Sequence, residues 1–306
     1  MRMFRSRALG AVLLAVSLVL AACGSGDDAG SGEVADGPTI TVASFNFGES
    51  VILAEIYAQA LEEFRYPVER NLNLGSRELI FPEIEAGNID LLPEYLGSSL
   101  VVGFGADAPA STSEGLESLA SEFEALGMEV LDAAPGEDKN VFVVTQEFAD
   151  ANGVSTVADL ASAGDITLGG PPECEDRETC YAGLVATYGL SNLAFESIQE
   201  GSARVAALAS GEIDVSLLFS TQPVISEMGF VALEDTEGLI APENIVPVLS
   251  SAVVEAYGDD LVGLLNEISA EITTEVLLDL NSRVELDAEN PEDVAGAWLT
   301  ENFLDG

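Results

Sequence analysis

From Thr39 onward the chain switches repeatedly between two hydrophobic periods. "TITVASFNF" at 39–47 alternates apolar with small or polar residues and predicts a strand. "ESVILAEIYAQALEEFR" at 49–65 places Ile52, Ile56 and Ala60 on one helical stripe, with Leu53 and Tyr57 beside it. "PVERNLNL" at 67–74 predicts a second strand, "ELIFPEIEAG" a helix and "IDLLPEY" a third strand. That β-α-β-α-β order suits a parallel sheet covered by helices. A helix over 113–126 and the stretch "MEVLDAAP" follow. A second series starts with "NVFVVTQEF" at 140–148 and continues with a helix near 156–163, the strand "ITLGG", a cysteine-bounded loop and a helix at 180–188. The strand "LAFESIQ", the helix "ARVAALASG" and the strand "IDVSLLFS" complete it.

One piece is written in both series. "EAGNIDLLPEYLGSS" at 85–99 returns as "ASGEIDVSLLFSTQP" at 209–223. Each has a glycine, then Ile-Asp, then an apolar run ending on an aromatic, Tyr95 or Phe219, five positions past the aspartate. In open α/β sheets ligands gather beyond the carboxyl ends of strands. Each copy therefore predicts a helix-to-strand unit of one lobe, with Tyr95 and Phe219 facing each other across a cleft. Ser98 and Gln222 occupy matching positions just beyond. The alternative is that both aromatics are ordinary core residues.

Two segments fit crossings between the lobes: "KNVFVVTQ" at 139–146 leads into the second, and "ENIVPVLSS" at 243–251 leads out. The remainder has strong helical period, with a capping sequence at "NPEDVAGAWL", and should pack back on the first lobe. The expected domains are lobe 1 over 38–140 and 246–306 and lobe 2 over 141–245. A lobe interrupted by another is an arrangement that closes about a hinge.

Composition narrows the chemistry. The 306 residues carry 10 Lys+Arg against 54 Asp+Glu, a formal charge of −44, with no histidine and Lys139 as the sole lysine. A polyanion repels nucleic acid, so no nucleic-acid partner is expected. Without an imidazole, Ser-His-Asp, Cys-His and HExxH chemistry are excluded. A carboxylate-pair hydrolase stays possible, although no spacing singles out a pair. A structural or sensory role without a transported ligand is a further alternative.

The first residues read as an address. Arg2, Arg5 and Arg7 precede an apolar run from Ala8 to Ala22, too short to span a bilayer, and then "LAAC". Residues 1–22 are thus expected to be a signal peptide and 23–37, rich in Gly, Ser, Asp and Ala, a flexible tether. "LAAC" resembles the lipobox of bacterial lipoproteins. It implies a lipid on Cys23 and a chain anchored on the extracytoplasmic face of the cell membrane. Outside the cytoplasm, Cys174 and Cys180 in "PPECEDRETCYAGL" are expected to form a disulfide closing a short loop. A metal site is the rival reading, but two thiols without histidine make a poor zinc shell.

From Ile40 to Phe303 the chain resembles the substrate-binding lipoproteins of ATP-driven importers for glycine betaine, choline, carnitine and related quaternary-amine osmoprotectants. The pieces that carry this are "ILAEIYAQALE", "LNLGSRELIFPEIEAGNIDLLPEYLG", "LASGEIDVSLLFSTQP" and "NPEDVAGAWL". The resemblance implies a two-lobed periplasmic-binding-protein fold (type II-like), each lobe a mixed, mostly parallel sheet flanked by helices. It implies a small cationic or zwitterionic solute, membrane permease subunits as partners, no cofactor, no metal and no enzymatic activity. It also implies an aromatic cage holding trimethylammonium by cation–π attraction. Tyr95, Ser98 and Phe219 match that pattern, and Arg177, expected to be the only strong cation near the cleft, matches an arginine that would fix a carboxylate. Phe45 followed by Asn46 departs from it, as does Asn140, two residues after Asp138. Glu243 or Asn244 stands where an aromatic is expected. Asp138 and Glu243 would compensate through charge; otherwise the pocket takes a more polar, amino-acid-like or hydroxylated solute.

Overall fold

The first strand, β1 (Ile40–Ala43), stops four residues short of the alternating pattern that predicts it. Beyond Ala43 the backbone groups find partners outside the ladder, as buried peptides must. Phe45 N donates to Ser50 Oγ, Asn46 N donates to the Gly75 carbonyl, and Ser44 accepts from Asn73 N and Leu74 N. "SFNF" is therefore a pinned loop leading into helix α1 (Gly48–Glu63). The computed structural model describes residues 35–199 and 201–304. The expected signal peptide, Cys23 and the tether up to residue 34 lie outside them.

Among the described residues nine more strands follow: β2 (Val68–Asn71), β3 (Leu91–Tyr95), β4 (Met128–Val130), β5 (Asn140–Thr145), β6 (Ile166–Gly170), β7 (Leu193–Ser197), β8 (Val215–Phe219), β9 (Phe230–Ala232) and β10 (Ile245–Ser250). They form two five-stranded sheets, β2-β1-β3-β10-β4 in one lobe and β7-β6-β8-β5-β9 in the other. The two orders correspond strand for strand. In each sheet one strand runs against the rest: β10 is antiparallel to β3 and β4, and β5 to β8 and β9. Two stretches differ from the sequence reading. The strand expected over 140–148 ends at Thr145, whose Oγ caps the next helix by accepting from Phe148 N. The helix expected near 156–163 is a 3-10 turn, Ala158–Ser162.

The repeated piece has one physical role in both lobes. Helix α2 (Arg77–Glu85) and the helix Gly201–Ser210 each run into a left-handed glycine, Gly87 (φ 70°) and Gly211 (φ 73°). Their amides reach back to the last turn, Gly87 N to Ile84 O and Gly211 N to Leu208 O, which closes each helix. Ile89 and Ile213 then enter the cores. Asp90 Oδ2 accepts from Thr41 N of β1, and Asp214 Oδ2 accepts from Thr167 N of β6, each at 2.9 Å. The aspartate locks its strand against its parallel neighbour before the apolar run begins.

Both faces of the lobe 2 sheet are buried, which explains its near-continuous apolar strands. Phe142, Val144, Val215 and Leu217 join one core; Val143 and Leu218 join Ala207, Leu208 and Ile213 on the other side. Lobe 1 has the larger core, to which the C-terminal helices contribute Leu277, Leu280, Val294 and Trp298. The chain crosses between lobes along two antiparallel segments: Asp138 N donates to Glu243 O, Ile245 N to Gly136 O, and Glu137 pairs with Asn244.

Candidate ligand-binding cleft

The carboxyl ends of β3 and β8 meet between the lobes, but their aromatics do not touch directly. The ring of Phe47 stands between them, 5.7 Å from Tyr95 and 5.4 Å from Phe219, centroid to centroid. Phe45 stacks on Phe47 at 5.9 Å. Tyr95 is buried, while Phe47 and Phe219 are half-buried. Two cavities lie against these rings. The larger, about 460 Å³, is lined by Phe47, Glu49, Asp138, Phe219, Thr221 and Asn281 among others. The smaller, about 90 Å³, touches Phe45, Asn46, Phe47, Tyr95, Ser98, Asp138, Asn140 and Phe219.

Three arginines border these spaces, so the expectation that Arg177 is the only strong cation near the cleft is corrected. Arg77, at the start of α2, is buried and forks onto Glu94 of β3, Nε to Oε1 at 2.9 Å and Nη2 to Oε2 at 2.7 Å. Its guanidinium carbon lies 4.9 Å from the Phe45 ring centroid, so one face of Phe45 already holds a cation. Burial works against this charge and Glu94 overrides burial, so the group stays ionised. Arg204 lines the larger cavity and donates to the carbonyls of Leu217, Ile198 and Gln199. Arg177 sits within the loop closed by the Cys174–Cys180 disulfide, whose Cα atoms are 5.2 Å apart. Its guanidinium forks onto Glu78 of α2, across the cleft, at 3.1 and 2.9 Å. Burial alone would raise the Glu78 carboxyl, but the Arg177 hydrogen bonds overcome it and hold the group at about 2. The forked face that would grip a ligand carboxylate is engaged in an inter-lobe clasp.

Acids crowd the floor. Tyr95 donates its hydroxyl to Glu49 Oε1 at 2.9 Å. Thr221 of lobe 2 donates to Glu49 Oε2 at 2.6 Å, and Asn281 Nδ2 reaches the same oxygen at 2.7 Å. Burial raises the Glu49 carboxyl, although these donors oppose it. Burial and the neighbouring Glu49 push Asp138 well above the usual carboxylate range. Burial, then Glu49 and Asp138, raise the Tyr95 phenol, which keeps it a donor. Glu243 accepts from Ser98 N and Ser98 Oγ, and burial brings it to about 7.

The remaining expected positions divide. Asn140 lines the smaller cavity with its amide donating to Thr179 O. Gln222 closes its own turn through Oε1, which accepts from Phe219 N, and donates to Glu285 across the cleft. Asn244 faces away: its Nδ2 donates to Ala134 O and its Oδ1 accepts from Thr112, so it belongs to the crossing segments and borders neither cavity. Phe47, Glu49, Arg77, Thr221 and Asn281 were not singled out by sequence reasoning. Phe47 and Glu49 fall at the strand-to-helix junction, the one usable signal, because a loop after a parallel strand opens on the cleft.

Residues 38–301 match the family described as the substrate binding domain of ABC-type glycine betaine transport systems. Glycine betaine-binding protein YehZ of Escherichia coli (strain K12) is 23% identical over 266 residues, 82% of this chain and 86% of that protein. Carnitine transport binding protein OpuCC of Listeria monocytogenes serotype 1/2a (strain 10403S) is 24% identical over 296 residues, 95% of this chain and 94% of its own. The fold is similar to a crystal structure titled as a glycine betaine/carnitine/choline ABC transporter, with TM-score 0.69 and 20% identity over 86% of this chain and 97% of that one.

Proposed function

Given that the chain belongs to the family of substrate-binding domains of ABC-type glycine betaine transport systems, we propose that it captures a quaternary-ammonium solute between its lobes by cation–π contact. Membership of a substrate-binding family sets the hydrolase reading aside. The observation that carries the ligand reading is the run of rings Tyr95, Phe47 and Phe219, drawn from both lobes and bordering the cavities. A desolvated cation over such rings gains about 0.5–2 kcal/mol per contact. The names of the relatives, for glycine betaine and for carnitine, support the same class. The solute-loaded protein would pass its cargo to membrane permease subunits, held at the outer face of the membrane by lipid on Cys23. Intact chain in the membrane fraction, with Cys23→Ser released to the soluble one, is the expected result; equal partition of both would remove the anchor.

Calorimetric titration with choline, betaine, carnitine and a panel of amino acids tests the ligand class. Heat from amino acids and none from any quaternary amine would establish the polar-solute alternative. The same titration examines Arg177. As a clasp to Glu78, its replacement in Arg177→Ala should weaken choline and betaine alike, by about fivefold at most for an ion pair open to solvent. A loss confined to betaine would return Arg177 to carboxylate binding.

A further inference from the structure

Two carboxyls from separate parts of the fold converge on one threonine in the larger cavity. Glu49 comes from the first turn of α1 and Asp138 from the first crossing segment. Thr221, in the loop after β8, donates its hydroxyl to Glu49 Oε2 at 2.6 Å and its amide to Asp138 Oδ1 at 3.1 Å. Both acids are 5% exposed. Beside them Asn281, 1% exposed, uses Nδ2 on Glu49 and Thr221 and leaves Oδ1 without a donor among the described residues.

The described partners of this pair are uncharged donors. Tyr95 of β3 donates to Glu49, and Ser220 donates to Asp138. Glu285, on the helix Thr274–Glu285, is itself raised by burial and then by Glu49, so it adds repulsion. Glu173 lines the same space, as does Arg204 with its guanidinium on main-chain carbonyls. Two carboxyls bonded to one threonine in a buried site cannot both ionise cheaply, which favours one proton shared by the pair. An acid-rich cavity lined also by the Phe47 and Phe219 rings favours a positive charge.

We propose that the Glu49–Asp138 pair is the specificity-determining counter-charge of the cleft, releasing its shared proton to solvent when the ligand's cation arrives. The inference rests on the quaternary-ammonium reading above. A cation within a few ångströms favours the doubly ionised pair, as the proton did for the singly ionised one, and the pocket's net charge is conserved. By linkage, affinity rises with pH, by at most about tenfold per pH unit for one proton, between the titration of the loaded and the free pair. Choline gains from both negative charges, whereas betaine's own carboxylate is repelled by them.

The test is calorimetric titration of the full chain with choline from about pH 5 to pH 8, in buffers of different ionisation enthalpy. The expected result is release of up to one proton per choline and a dissociation constant that falls with pH. Glu49→Gln and Asp138→Asn should each bind without proton release and with a flat profile. Should Glu49→Gln fail to fold by circular dichroism, Asp138→Asn makes the same test. Choline binding with no proton released by the unaltered protein overturns the proposal and leaves the quaternary-ammonium reading standing. Absence of binding by choline, betaine and carnitine overturns both.

Discussion

Replacing Arg77 by alanine is expected to destabilise the protein by about 3–5 kcal/mol, the usual cost of stranding one charge of a buried pair. Glu94 has no exposed surface, and its two oxygens accept the Arg77 fork together with Tyr95 N. Water cannot replace the guanidinium without opening the junction of α2 and β3. The loss would reach the cleft as well, because Arg77 also packs on Phe45, and Phe45 on Phe47. Chemical denaturation followed through Trp298, the chain's one tryptophan and part of the lobe 1 core, is the measurement. Arg77→Met combined with Glu94→Gln should recover at least half of the loss, since neither charge is then buried alone. A double variant no more stable than Arg77→Ala would show that packing of the arginine stem, rather than the stranded carboxylate, sets the cost.

Phe47→Ala is expected to weaken choline binding by about tenfold to thirtyfold, the equivalent of one strong desolvated cation–π contact. Its ring touches both Tyr95 of lobe 1 and Phe219 of lobe 2, so it contributes to the ligand wall and to the contact between lobes. A neutral isostere, 3,3-dimethylbutanol, separates the two contributions. It has the shape of choline without the charge and should lose much less affinity in the variant. Equal losses for both ligands would assign Phe47 to shape and closure alone. Phe64→Ala, which removes an exposed ring 6.4 Å from Phe303, should bind choline like the unaltered chain.

Much of the scaffold was legible because its causes are local. The glycine that stops a helix, the isoleucine that enters the core and the aspartate that locks a strand sit within four residues of each other in both repeats. The misreadings come from contacts that local pattern does not record. Alternation alone carried β1 through Phe47, because nothing in the pattern says that Ser50, Asn73 and Gly75 will claim the backbone of the loop. The same alternation hid Phe47 as one more strand residue, and Arg77 looked like any charge near a helix start.

What the sequence by itself determined is the element order, the doubled helix-to-strand unit, the two crossings and the family. The first three follow from hydrophobic period and turn chemistry over a dozen residues or fewer; the family rests on likeness over longer stretches such as "LNLGSRELIFPEIEAGNIDLLPEYLG". Only the tertiary structure decided which side chains share the cleft. Glu49 meets Thr221 across 172 positions and Asn281 across 232, while Arg177 meets Glu78 rather than open space. Such pairings depend on how two lobes fold back over one another. Burial then alters the chemistry of acids that look ordinary in the chain, and no local pattern records that.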